Sequence, residues 1–213
     1  MTERPILFSA PMVRALLDGT KTQTRRVLKP QPANDIAPAD FPNPAAQGWK
    51  SSRRHSHGAT TAHFCPYGQP GDRLWVRETW QAVRGDDRAR HICTSPRPDV
   101  GWLEYAATPR EDEPAYKWRP SIHMPRWASR IDLEVTGVRV ERLQRINEAD
   151  ALAEGIERLD SPHPGVPLYR DYAPGHDSTV SPVHSYRTLW EAINGPGSWD
   201  ANPWAWVVEF RRI

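Results

Sequence analysis

The stretch Gly19-Thr20-Lys21-Thr22-Gln23-Thr24-Arg25-Arg26 sets an amine, several hydroxyls and two guanidinium groups side by side. A helix is predicted to end at Gly19, so the following residues deliver these groups into one small space. A threonine hydroxyl is a weak nucleophile until a base takes its proton. A lysine amine is such a base only when neutral, and desolvation beside other cations favours the neutral form. Arg25 and Arg26 are the obvious cations. Each residue also has a plain structural reading. Lys21 fits a surface cation near a helix end, where positive charge is favoured, and Thr24 fits the opening of a strand.

Three other places carry groups of chemical interest. Glu154 falls in the last turn of a predicted helix, where the dipole disfavours a carboxylate by about 0.3–1 kcal/mol; a cation close by would relieve this. Glu78 shares a strand face with Leu74, Val76 and Trp80. A carboxylate on a mostly apolar face needs a partner or a raised pKa, and it reads equally as a salt bridge to Arg25 or Arg26 or as a ligand contact. The run Trp118–Trp127 is aromatic, basic and stiffened by proline. Such a run can clamp a base or a phosphate, with Arg119, Ser121, Met124 and Arg126 as contacts beside Trp80, or it can be a packed crossover with solvated arginines. His55, His57, His63 and Cys65 sit in one polar stretch, but their spacing matches no zinc pattern. Neither a metal nor a cofactor is expected.

The elements that must position these groups follow from local pattern. Ile6-Leu7-Phe8 reads as a short strand. Ser9-Ala10-Pro11 opens a helix with Met12, Val13, Leu16 and Leu17 on one face and Gly19 as its stop. Arg73–Trp80 and Trp102–Ala107 read as strands. Ile131, Leu133 and Val135 alternate, and Val138 and Val140 alternate out of phase with them, which predicts a β-bulge near Gly137. Asn147 caps a second helix that ends at Gly155, and Ser181-Pro182 opens a third that ends at Gly195. The final run from Trp204 alternates Trp204, Trp206, Val208 and Phe210 against Ala205, Val207, Glu209 and Arg211, a strand pattern. Residues 30–70, 84–101 and 157–180 have no period and read as loops.

The 213 residues carry a net charge of +2, weaker than expected of a protein that holds duplex DNA by charge alone. Arginine greatly outnumbers lysine, which leaves a local basic cleft possible. Two cysteines and no apolar leader fit a reducing cytoplasm. No run is long and apolar enough for a membrane span. P-loop, dinucleotide and nucleophile-elbow signatures are not found.

Gly19, Lys21, Thr24 and Arg26 fit the pattern Gly-x-Lys-x-x-[Glu/Thr]-x-Arg. The pattern follows a short strand and helix and precedes Gly71-Asp72-Arg73-Leu74, and the chain closes on Val207-Val208-Glu209-Phe210. This order resembles the ASCH domain family, a relative of the PUA RNA-binding β-barrels, and most of all its larger phage- and prophage-encoded members. The resemblance covers most of the chain outside residues 30–64 and 157–180. It implies an α+β fold: one small PUA-like barrel of about five to six strands, with three flanking helices and loop insertions at 30–70 and 157–180. The motif is similar to that of family members that hydrolyse N(4)-acetylcytidine. By that likeness Lys21, Thr24 and Glu154 are the catalytic set; on their own chemistry Thr24 is the nucleophile and Lys21 its base, while Glu154 either stabilises the ammonium, contacts the substrate, or donates or relays a proton to the leaving amine. Arg25, Arg26, Glu78, Trp80, Arg119, Ser121, Met124 and Arg126 would surround the substrate. Other family members bind nucleic acid or cut RNA, so the implied partner is a modified nucleoside or RNA. Amide hydrolysis, base binding without turnover, and ribonuclease action all stay open at this point.

Overall fold

The computed structural model describes residues 1–31, 49–50, 62–83, 102–109 and 117–213. Their elements, in chain order, are β1 (Glu3–Leu7), α1 (Ala10–Leu17), β2 (Gln23–Val27), β3 (Trp49–Lys50), β4 (Ala62–His63), β5 (Arg73–Arg77), β6 (Trp80–Val83) and β7 (Trp102–Tyr105). They continue with β8 (Asp132–Arg142), α2 (Glu148–Ala153), β9 (Arg158–Leu159), β10 (Leu168–Arg170), β11 (Ser178–Thr179), α3 (Pro182–Asn194) and β12 (Trp204–Arg212). The class is α+β. No helix among the described residues is long and apolar enough to cross a membrane.

The main sheet runs β1-β5-β8-β12-β2, with only β1 and β5 parallel. It does not close by backbone pairing among the described residues, which corrects the expectation of a barrel ladder. Its edges are β1 and β2, the two strands joined through α1. An arginine bridges them: Arg26 Nη2 donates to the Leu7 carbonyl at 2.7 Å. The sheet therefore curls until its edges stand one side chain apart. The long strands make that curl. β8 spans 11 residues, and its register with β12 slips between Glu209 and Phe210, opposite Gly137 and Val135. This is the bulge expected near Gly137. A side chain at Gly137 would meet the Glu209 carboxylate.

Inside the curl lies the main core, built on Phe8, Leu16, Leu74, Leu133, Trp204 and Val208, all buried. A second core joins α2, α3 and the following turn through Leu143, Ala151, Tyr186, Trp190 and Trp199. On β12 both alternating sets are buried as far as Val208, not one. Val207 pairs with Arg25 on one side and Arg139 on the other, and both arginines bond to Asp150 of α2. The helix layer thus covers the face that alternation alone would leave to solvent.

The caps stand where composition put them. Pro11 lies in the first turn of α1 and Gly19 follows it at φ +74°. The Asn147 side chain accepts from the Asp150 N–H at 2.8 Å, and the Ser181 side chain from the His184 N–H at 3.2 Å. Residues 157–180 are not a bare loop: β9, β10 and β11 form a small antiparallel sheet. Residues 84–101 and most of the 30–70 stretch, with His55, His57 and the His63 side chain, lie outside the described residues. Within the 30–70 stretch β3 pairs with β4, Trp49 opposite His63.

Candidate functional site

The site starts from an unfinished helix end. α2 leaves its last carbonyls without intrahelical partners. The loop after α1 supplies two of them: the Thr22 N–H donates to the Ala153 carbonyl at 2.8 Å and Lys21 Nζ to that of Glu154 at 2.6 Å. Gln23 Nε2, at the start of β2, adds a second bond at 3.0 Å to the Asp150 carbonyl, which also accepts from the Glu154 N–H. Lys21 also donates to the Glu154 carboxylate at 3.2 Å and to the Gln23 carbonyl at 3.0 Å. Its side chain has no solvent exposure. The cation that a carboxylate at this helix end calls for is Lys21.

Gly155 makes the contact possible. At φ +77° it turns the chain out of α2, and a Cβ there would stand 2.7 Å from Lys21 Cβ and 2.8 Å from Ala15 Cβ. Gly155→Ala is expected to cost roughly 1–3 kcal/mol in a denaturant melt, from left-handed strain and overpacking together. A neutral result would show that Lys21 is not held by this close approach.

Glu154 lies between two cations. Its other oxygen accepts from Arg25 Nη1 at 3.3 Å, and Arg25 Nη2 reaches Asp150 at 2.8 Å and Glu141 at 3.2 Å. Arg139 ties Glu141 and Asp150 to Glu209. Burial pushes the Lys21 amine below the ordinary lysine value, Glu154 opposes that shift, and Arg26 and Arg25 add to it. The expected cations therefore act in the expected direction.

A cavity of about 420 Å³ opens where the sheet edges approach each other. Phe8, Thr24, Arg25, Arg26 and Glu154 line it, and α3 adds Tyr186, Leu189, Trp190 and Ile193. Alternation along β2 puts Thr24 and Arg26 on the inner face and Arg25 on the α2 face. Because β2 is an edge strand, one opening reaches both faces. The Thr24 hydroxyl makes no hydrogen bond among the described residues and the side chain is buried. Lys21 lies directly behind Glu154, with its amine 5.3 Å from the centre of the Phe8 ring.

Of the residues expected around the substrate, Arg25, Arg26 and Ser121 line this cavity. The others do not. Glu78 is held by Arg130, in a two-pronged pair at 2.8 and 2.9 Å, rather than by Arg25 or Arg26. Trp80 and Met124 are core, buried with Ala128 and packed against Trp127. Arg119 stacks on Trp80 with its guanidinium 5.4 Å from the ring centre. Arg126 pairs with Glu3 and Asp132. Cys65 is a partly buried thiol pushed up to about 11 by burial. No three His, Cys, Asp or Glu side chains among the described residues gather as a metal site.

Tyr186 was not expected at the site. Its spacing with Leu189, Trp190 and Ile193 places it on the apolar face of α3. The signal was the hydroxyl itself, since a buried tyrosine needs a partner for it. The side chain is 4 % exposed and its hydroxyl makes no hydrogen bond among the described residues. Burial first, and then Glu154, raise its pKa well above the ordinary tyrosine value, so it stays a neutral donor. The cavity thus combines a hydroxyl nucleophile candidate, a carboxylate bonded to a buried amine that does not itself line the cavity, a neutral phenol and an aromatic wall. Comparison of the chain with protein-family models, with curated proteins and with solved structures finds no match.

Proposed function

We propose that the protein is an amidohydrolase that removes an acyl group from the exocyclic nitrogen of a nucleobase, with N(4)-acetylcytidine as the model substrate. One observation carries the reading. Thr24 and Glu154 line the same cavity, and the Lys21 amine is hydrogen-bonded to Glu154 immediately behind its wall. The curled sheet with its bulged β8 supports the likeness to ASCH and PUA-like barrels, read as a barrel left open along one seam.

The chemistry balances with these groups alone. Lys21 passes a proton to Glu154 and becomes a neutral amine, a step that burial favours. The Thr24 oxygen attacks the amide carbon while its proton moves to Lys21. Collapse of the tetrahedral intermediate breaks the carbon–nitrogen bond, and the Glu154 acid protonates the departing amine. Water then attacks the acyl-threonine by the same relay. It releases the carboxylic acid and returns the proton to Thr24. Tyr186 supplies a neutral donor for the developing oxyanion. Tyr186→Phe is therefore expected to lower kcat about tenfold, with KM and the melting curve little changed. An unchanged kcat would remove the phenol from this role.

A second reading is a base-binding module without turnover. It is favoured by the Lys21 amine, which already gives all three of its protons to protein oxygens. A chromatographic assay for cytidine release separates the two, because a binding module accumulates no product.

A further inference from the structure

β2 is an edge of the main sheet, and register decides which of its backbone groups are engaged. The Leu28 N–H donates to the Trp204 carbonyl at 2.9 Å, and the Phe210 N–H to that of Thr22 at 2.9 Å. In an antiparallel ladder with these partners, the even residues from Thr22 to Leu28 turn both backbone groups toward β12. The odd residues Gln23, Arg25 and Val27 turn theirs the other way, into the seam beside β1. Lys21 takes the Gln23 carbonyl at 3.0 Å. Among the described residues nothing bonds the backbone N–H or C=O of Arg25 or Val27.

Both residues line the cavity, and Arg25 is 3 % exposed. Backbone groups that deep are bonded as a rule, so this open pair calls for a partner in the cavity. The free run is short. It holds two residues, against about five or six in a typical strand, and Arg26 between them crosses the seam to the Leu7 carbonyl. On the facing edge the Phe8 N–H and the Thr2 carbonyl bond β5. That turns Pro5 and Leu7 toward the seam, and proline has no N–H to offer. An added peptide strand finds little to pair with here, whereas a flat base needs one acceptor and one donor.

Arg25 C=O and Val27 N–H are such an acceptor and donor, consecutive along one edge. An N-acylated cytosine presents the complement, an exocyclic N–H beside a bare ring nitrogen, and adenine presents the same order. Uracil reverses it, setting a carbonyl against Arg25 C=O and an N–H against Val27 N–H. Arg25 follows Thr24 by one residue, about 3.4 Å along the strand. The pairing therefore brings the exocyclic nitrogen and its acyl carbon toward the Thr24 hydroxyl.

We propose that the open backbone edge of β2 selects the base: Arg25 C=O accepts from the exocyclic N–H and Val27 N–H donates to the adjacent ring nitrogen, so that the cavity takes amino bases and rejects keto bases. This rests on the nucleobase reading of the cavity, but not on turnover.

The test is calorimetric binding of cytidine, 3-deazacytidine, uridine and N(4)-acetylcytidine to the full chain. 3-Deazacytidine carries C–H in place of the ring nitrogen and keeps the shape. Wild type is expected to bind cytidine about tenfold more tightly than 3-deazacytidine or uridine. Val27→Pro deletes the donor alone, because that N–H points away from the ladder and an edge strand accepts proline there. In this variant the ratio of cytidine to 3-deazacytidine affinity falls toward one. If it does not fold, an ester in place of the amide at Val27 removes the same N–H without a ring and lowers the ratio likewise. Equal binding of cytidine and 3-deazacytidine by wild type overturns the proposal. So does uridine binding as tightly as cytidine, or a preference that survives loss of the Val27 N–H. Binding of none of the four compounds overturns the nucleobase reading itself. Failure to hydrolyse N(4)-acetylcytidine while the preference holds overturns the amidase reading alone.

Discussion

Glu154→Ala is expected to cost about 3–5 kcal/mol of folding free energy, because it leaves two buried cations facing an empty space. Lys21 and Arg25 both have fully buried side chains, and among the described residues Glu154 is the one carboxylate that both contact. Arg25 keeps Asp150 and Glu141 after the change. Lys21 keeps only carbonyl oxygens. Most of the loss should therefore come from the ammonium, and Lys21→Met in the Glu154→Ala background should recover part of it. Urea melts of the two single variants and the double variant read this directly. Losses that simply add would show that the pair is not energetically coupled. The pH dependence has a defined sign. Burial lowers the Lys21 pKa in the fold, so between the folded value and the ordinary 10.5 the unfolded chain holds the extra proton. The contribution of this group to stability therefore rises with pH across that window.

Thr24→Val should remove turnover of N(4)-acetylcytidine by ~10³-fold or more while leaving the fold intact, since it deletes the attacking oxygen and keeps the shape. The cost to stability is small for a specific reason. The Thr24 hydroxyl makes no hydrogen bond among the described residues, so none is broken. Val at this position also suits an edge strand that pairs with Val208. The same mechanism puts a limb on the pH–rate profile. The working pair holds one proton between Lys21 and Glu154, so the rate falls as pH rises through the Lys21 pKa and that proton is lost, and the limb lies below the ordinary lysine range because burial lowers that pKa. A Thr24→Val protein that still releases cytidine at the wild-type rate would exclude Thr24 as the nucleophile.

Local pattern revealed what local physics controls. Pro11, Asn147, Ser181 and the glycines at 19, 155 and 195 bound the helices because caps and left-handed turns are decided within a few residues. The bulge near Gly137 was legible because Val135 and Val138 cannot share a face without an extra residue. Glu154 at a helix end signalled a nearby cation, and Lys21 is that cation. Long-range pairing was harder to read. Glu78 needed a partner, but the choice of Arg130 depends on how β5 meets β8. Trp80 and Met124 could equally have been slot or core, and only packing decides. Alternation cannot separate an open sheet from a closed one, nor show that a helix layer covers the outer face of β12. The strands at 158–179 are two or three residues long, too short to show any period.

The central claim is that this cavity hydrolyses an acylated base with Thr24. Its most direct test is to incubate wild type and Thr24→Val with N(4)-acetylcytidine and separate the products by chromatography. The account predicts cytidine and acetate from the wild type and neither from the variant. Folded wild-type protein that leaves N(4)-acetylcytidine intact would contradict it.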